Sequence, residues 1–464
     1  MKAHRPAGTS FGPGFPRFVA GPPEPPGRFD SVAAMTKSPL RWLALAASTA
    51  CALACAEAGA ASGERWTGTW AAAPQAAFPG PLERYDDRTL RLVVHASVGG
   101  SRVRVRLSNT YGPAPLRIAA ARVGVRGQGA DVVDGSDRAL TFGGAPGVVI
   151  APGASVTSDP VALDVAALSE LAVSLHASGR ARAGTLHTLA QQTSFVAGKP
   201  GDFTADVHWP GARKIDAWPF LTGVDVQASE GGASLVLFGD SWVDGDGSTP
   251  DANARWADAL AAQLQRAGGA CARIGVVNEG LIGNRLLHDS PVRHRPKAPD
   301  FGRALGESGL ARFERDVLAQ PGVGAVLVHL GNNDLGFDGG VAPAGETVSL
   351  DALVAAYREL VARAHAAGLR AIGSTLTPVE GTKLLPGYDT PAKEALRQQV
   401  NAWIRDGGAF DAVIDVDRVV RDPDHPARLL PRLASADHLH PNDAGYAAAA
   451  AAFPPGLCAG LASR

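Results

Sequence analysis

The sequence predicts an α/β fold preceded by an all-β region, and three observations carry that reading. Residues from about 64 to 228 form short alternating runs of apolar and polar residues, separated by Gly and Pro. After Gly231-Gly232 the pattern becomes apolar strands alternating with segments of helical period, as in a parallel sheet covered on both faces. Ser241, the turn after Asn278, and Asn333 all lie just past the carboxyl end of a predicted strand, where ligands bind on such sheets.

In the first region Ser101–Leu107 alternates strictly, with Arg102, Arg104 and Arg106 on one face and Val103, Val105 and Leu107 on the other. Further short strands fall at 89–94, 116–118, 147–150 and 171–175, a spacing typical of a sandwich or jelly roll. In the second region strands are expected at 234–238, 274–278, 324–330, 369–375 and 412–416. Helices are expected around Trp256, Leu260 and Leu264, near 307–319, over 350–366 and 391–405, and from about 442.

The 464 residues are 45% hydrophobic and 19% charged, with net charge −1, so nothing electrostatic points to nucleic acid as a partner. The chain divides into an N-terminal extension and signal peptide (1–61), an all-β accessory domain (62–230) and a catalytic domain (231–464). From Met35 a basic start, an apolar stretch from Trp42 and the small-residue exit Ala58-Gly59-Ala60 read as a secretory signal. The stretch is short for a membrane span. Met1 and Met35 are the only methionines, and translation is expected to start at Met35. The alternative is a genuine N-terminal extension. These features predict a secreted or periplasmic protein. Cys51 and Cys55 lie in the leader, which leaves Cys271 and Cys458 as a candidate disulfide.

The chemistry gathers in two places. Leu235-Val236-Leu237-Phe238 ends in Gly239-Asp240-Ser241-Trp242, and Asp437-His438-Leu439-His440-Pro441 stands near the C-terminus. A serine hydroxyl needs an imidazole to take its proton, and the imidazole needs a carboxylate to fix its tautomer. The plain alternatives are a helix N-cap for the first segment and a polar loop for the second. His440 is the expected base, with His438 as its rival. Leu330-Gly331-Asn332-Asn333-Asp334 places an Asn amide at a strand end, and Asn278 to Gly283 places glycines at another, where oxyanion donors would be needed. No metal set or cofactor motif stands out. His288 and His294 sit in a basic insert, 285–305, with Arg293, Arg295 and Lys297, which is read as a solvated loop near the site entrance. His95, His176, His187 and His208 are read as ordinary surface or core histidines.

These blocks, in this order, resemble the SGNH (GDSL) hydrolases over roughly residues 232–455. The resemblance implies a flavodoxin-like α/β/α domain with Ser241 as nucleophile and oxyanion donor. It likewise implies Gly283 as backbone donor, Asn333 as side-chain donor, and Asp437 and His440 as the acid–base pair. Trp66-Thr67-Gly68-Thr69-Trp70 and Val105-Arg106-Leu107-Ser108-Asn109 resemble the β domain ahead of such modules in secreted bacterial esterases. Trp242 departs from the family's Leu or Ile and suggests a bulkier wall beside the nucleophile.

The expectation is an exported serine esterase acting on O-acyl groups, acetyl first, on carbohydrate. The other readings are a lysophospholipase or broad arylesterase, a polysaccharide O-acyltransferase, and a non-catalytic glycan-binding protein. The partner is then a small-molecule or polysaccharide ester, and the sequence does not address oligomeric state. Activity should fall on acidification as His440 protonates, near 6.5 for a free imidazole.

Overall fold

Leu235 and Leu237 point into one apolar core and Val236 and Phe238 into another, so the strand Ala233–Gly239 is buried on both faces. This explains its unbroken apolar run, which a strand with one wet face would not show. The computed structural model describes residues 65–461 apart from 210, 228–229 and 297. The leader with Cys51 and Cys55, the Met35 start and Lys297 lie outside the described residues.

Five parallel strands stand in the spatial order Ile274–Gly280, Ala233–Gly239, Val323–His329, Arg370–Ser374, Ala412–Ile414. Numbered along the chain this is order 2-1-3-4-5, the flavodoxin-like winding. The winding reverses beside the first strand, so its carboxyl end, which carries Ser241, opens at the switch point. Helices Trp256–Ala267 and Asp443–Ala451 cover one face through Trp256, Leu260, Leu264 and Tyr446. Helices Leu350–Ala366 and Pro391–Asp406 cover the other through Leu353, Tyr357, Leu360 and Val400. Both of the latter start on side-chain caps, Ser349 and Thr390, and Pro391 fills a first-turn position that needs no N–H donor. Near 307–319 the helix is short, Gly309–Phe313, and widens into a π-turn over Glu314–Leu318.

Ahead of this sheet, two antiparallel sheets enclose one core. One is built on Gly100–Ser108 and Leu221–Val226, the other on Arg88–His95, Glu170–Ala177 and Leu116–Val125. Val103, Val105 and Leu107 are fully buried against Leu92, Val173 and Val224. On the opposite face Arg104 and Arg106 both reach Asp225 of the neighbouring strand.

The antiparallel part is seated directly on the edge strand Ile274–Gly280, within one unit that spans Arg65–Arg464. Ser97 Oγ accepts from Val276 N at 2.9 Å, and Ser234 Oγ accepts from Gly68 N at 2.8 Å. A side chain at Gly275 would collide with the carbonyl of Gly68, so this close backbone approach requires glycine. Cys271, just before that strand, is joined by a disulfide to Cys458, with Cα atoms 5.0 Å apart. No helix among the described residues is long and apolar enough to cross a membrane on its own.

Candidate active site

Strand Ala233–Gly239 passes into a four-residue helix, Ser241–Asp244, whose N-cap is Asp240. The cap carboxylate accepts from Trp242 N at 3.0 Å, so the capping role falls to Asp240 and leaves the Ser241 hydroxyl free of it. A side chain at Gly239 would strike Val243, which explains why the turn can be this tight.

Ser241 Oγ lies 2.8 Å from His440 Nε2, and His440 Nδ1 lies 2.6 Å from Asp437 Oδ2. The second oxygen of Asp437 accepts from Leu439 N, His440 N and Ser435 Oγ, which fixes the carboxylate relative to its own turn. His438 takes a left-handed backbone, φ 61°, and its side chain is exposed. That reversal carries the chain round so that His440 faces inward and His438 faces solvent. The rivalry between the two imidazoles ends there.

Carboxylates decide the charge on His440. Burial alone lowers its pKa, but Asp246 and Asp437 beside the ring outweigh burial and push it up to about 9. Burial raises Asp437 in turn, and the bonds from His440 overcome this and hold it well below the usual carboxylate range. Titration of this imidazole therefore belongs well above the free value from which the sequence expectation starts.

The family model of GDSL-like lipases and acylhydrolases matches residues 237–448, from within the nucleophile strand to the helix after His440. Those residues are a GDSL-like lipase/acylhydrolase domain. Solved structures also match about half of the chain. An aryl esterase from M. smegmatis is 16% identical with TM-score 0.34, over 48% of this chain and 96% of its own. A carbohydrate acetylesterase from Sinorhizobium meliloti is 14% identical with TM-score 0.32, over 47% and 94%. An α/β hydrolase from a Lake Arreo metagenome is 26% identical with TM-score 0.34, over 48% and 94%. No curated protein matches the chain.

In the GDSL domain the oxyanion candidates are arranged unequally. The N–H groups of Ser241 and Gly283 have no partner within the protein among the described residues. Gly283 has φ 68°, and a Cβ there would meet Leu305 at 2.8 Å, so the residue must be glycine on both counts. Asn333, the expected side-chain donor, is already engaged. Its Nδ2 donates to Asn284 O at 3.1 Å and to Asp240 Oδ2 at 3.3 Å, while its Oδ1 accepts from Tyr388 OH at 2.9 Å. Those three partners fix the amide orientation, and Asn333 reaches an oxyanion only by sharing one of these protons.

Trp242 also differs from expectation. It is buried against Trp256, His329 and Tyr446 in the core beneath the sheet, so it does not wall the cleft. A residue directly after the nucleophile in a helix starting at a strand end points back into that core. The insert is less solvated than read, since Arg285 is buried and pairs with Glu346 at 2.6 Å and His294 is half-buried, whereas Arg293 remains exposed.

Several supporting residues of the GDSL domain escaped the sequence reading. Buried Arg312 donates to Gly239 O, Glu279 O and Asn284 Oδ1, tying together the ends of two strands beneath the site. Its only linear signal is Asp316 one turn later, an ordinary helix pair. Asp334 accepts from Leu286 N and Leu287 N and holds the Gly283 turn against the Asn333 turn.

His187 was read as ordinary. It reaches from the antiparallel part to the far side of the nucleophile helix, with Nε2 2.8 Å from Asp244 Oδ1 and Nδ1 2.9 Å from Ala73 O. Asp244 Oδ2 accepts from Ile282 N, one residue before Gly283. His95 bridges similarly to Asp258, which Arg255 also holds. No periodicity reports such contacts. The Asp244-Gly245-Asp246-Gly247 run was the available hint, since alternating glycines fix where the two carboxylates point.

Proposed function

We propose that the protein is an exported serine carboxylic ester hydrolase that works through an acyl-enzyme. The observation that carries this reading is the hydrogen-bonded series from Ser241 Oγ through His440 to Asp437, at 2.8 and 2.6 Å. His440 takes the hydroxyl proton as Ser241 attacks the ester carbonyl, and Asp437 holds Nδ1–H so that Nε2 can receive it. The Ser241 and Gly283 N–H groups stabilise the oxyanion, with Asn333 as a shared third donor. Each such donor contributes roughly a hundredfold or more in rate. The alcohol leaves with the proton from His440. Water, activated by the same imidazole, then releases the acid.

The Cys271–Cys458 disulfide supports export, since such bonds persist in oxidising compartments. The substrate reading stays with short O-acyl groups on carbohydrate. Its test is turnover of p-nitrophenyl esters of increasing chain length, beside acetylated xylan and lysophospholipid. Acetyl preference with release from xylan supports it, and preference for long chains or lysophospholipid overturns it. The serine mechanism is tested by Ser241→Ala, expected to lower kcat by at least about a thousandfold. Full turnover in that variant removes the proposal.

A further inference from the structure

We infer that Asp246 is a second carboxylate acting on His440, a positioning residue whose charge sets the pH at which the base becomes available; this rests on the serine esterase reading. Asp246 Oδ2 lies 3.6 Å from His440 Nδ1, against 2.6 Å for Asp437 Oδ2. The longer distance is beyond a hydrogen bond, so Asp437 orients the ring while Asp246 acts on it through charge alone. Among the described residues the Asp246 carboxylate has no hydrogen-bond partner, and its one ionic contact is His440.

The backbone aims this carboxylate. Asp246 N donates to Ser241 O at 3.1 Å, and its carbonyl accepts from Tyr446 OH at 2.7 Å. The flanking glycines have φ 117° and 86°, conformations that other residues rarely adopt. A side chain at Gly245 would strike Arg255, and one at Gly247 would meet Pro441 O at 2.5 Å. The turn is thus fixed between the nucleophile helix and the His440 loop.

The other groups facing the imidazole come from every element packed on it. Asp437 belongs to its own turn, Asp240 lies at the strand end with Arg312 beneath it, and Tyr446 comes from helix Asp443–Ala451. Behind the nucleophile helix stands the His187–Asp244 pair. Neither Asp246 nor Asp437 pairs with Lys or Arg among the described residues, so both negative charges act on His440 unopposed. Together they favour the imidazolium and hold back the general base until the pH is alkaline.

The experiment is the pH profile of kcat/KM for wild type and Asp246→Asn, each normalised to its own alkaline plateau. The acid limb is expected to move down by about one pH unit or more, which raises normalised activity at pH 7 roughly tenfold per unit. Asp246→Ser, which removes the charge with less bulk, should move it in the same direction. A purely structural role would lower Tm or the plateau and leave the limb where it is. An unmoved limb in whichever of these variants folds as wild type overturns the inference. Failure of the underlying reading is distinguishable, because it appears as undiminished turnover in Ser241→Ala.

Discussion

The helix Ser241–Asp244 has a histidine–aspartate pair on each side, one from the C-terminal loop and one from the antiparallel part. On the cleft side, His440 Nδ1 faces the Asp437 carboxylate and Nε2 faces a hydroxyl, which can either accept or donate. On the far side, His187 Nε2 faces the Asp244 carboxylate and Nδ1 faces the Ala73 carbonyl. The Ala73 carbonyl only accepts, so Nδ1 carries a proton, and the second proton of the pair lies between Nε2 and Asp244, where it can charge the ring. Burial opposes that charge, and Asp244 outweighs burial and raises the His187 pKa. Burial pushes Asp244 up as well, against the pull of His187. The same two residue types thus face a hydroxyl on one side of the helix and a backbone carbonyl on the other.

The largest effect should come from the cleft-side pair. Asp437→Asn leaves the shape but presents the wrong partner to Nδ1–H, and kcat should fall about a thousandfold or more with Tm little changed. A loss under tenfold, measured by stopped-time ester hydrolysis, would mean that the pair does not orient the base. The far-side pair should respond in the opposite proportion. His187→Ala leaves Asp244 buried without its partner and should cost about 3–5 kcal/mol of stability. Because Asp244 also holds Ile282 N beside Gly283, kcat should drop roughly ten- to a hundredfold with KM nearly unchanged. If Tm falls and kcat does not, the far side is purely structural.

Titration gives a finer contrast. Both histidines have folded pKa values above the unfolded value of about 6.5, so each contributes stability that is fully present below that pH. That stability is lost as pH rises through the folded pKa, about 9 for His440. Activity runs the other way, because only neutral His440 accepts a proton. Between pH 6.5 and 9, kcat/KM should rise while Tm falls. His440→Ala should flatten the fall in Tm, and an unchanged slope would break the assignment. The smallest effect on chemistry should come from the disulfide. Replacing Cys271 and Cys458 by Ser should cost about 2–4 kcal/mol and lower Tm by several degrees, with kcat at 25 °C little altered. A large loss of kcat would show that the C-terminal segment positions His440 through this link.

Strand 233–239 was legible because burial on both faces leaves an unbroken apolar run, and helix 350–366 because one face repeats Leu353, Tyr357, Leu360 and Ala364. Ser241 and the Asp437–His440 pair were legible because each sits in a short local pattern, the first at a strand end and the second in the loop before helix Asp443–Ala451. Trp242 departs from expectation because a chain neighbour of Ser241 need not be a spatial neighbour of the cleft. Arg312, with its three carbonyl and amide contacts, leaves only an ordinary i,i+4 pair with Asp316 in the linear pattern.

The sequence by itself determined the strand–helix alternation, the Ser241 turn and the Asp437–His440 spacing, since all three depend on residues close in the chain. Only the tertiary structure decided which histidine turns inward, where the Asn333 amide donates and which carboxylates surround His440. It alone brought His187 to the back of the nucleophile helix, across 57 positions of sequence. Charge and hydrogen bonding act over a few ångströms of space, and a linear pattern records that distance only when the partners share one turn.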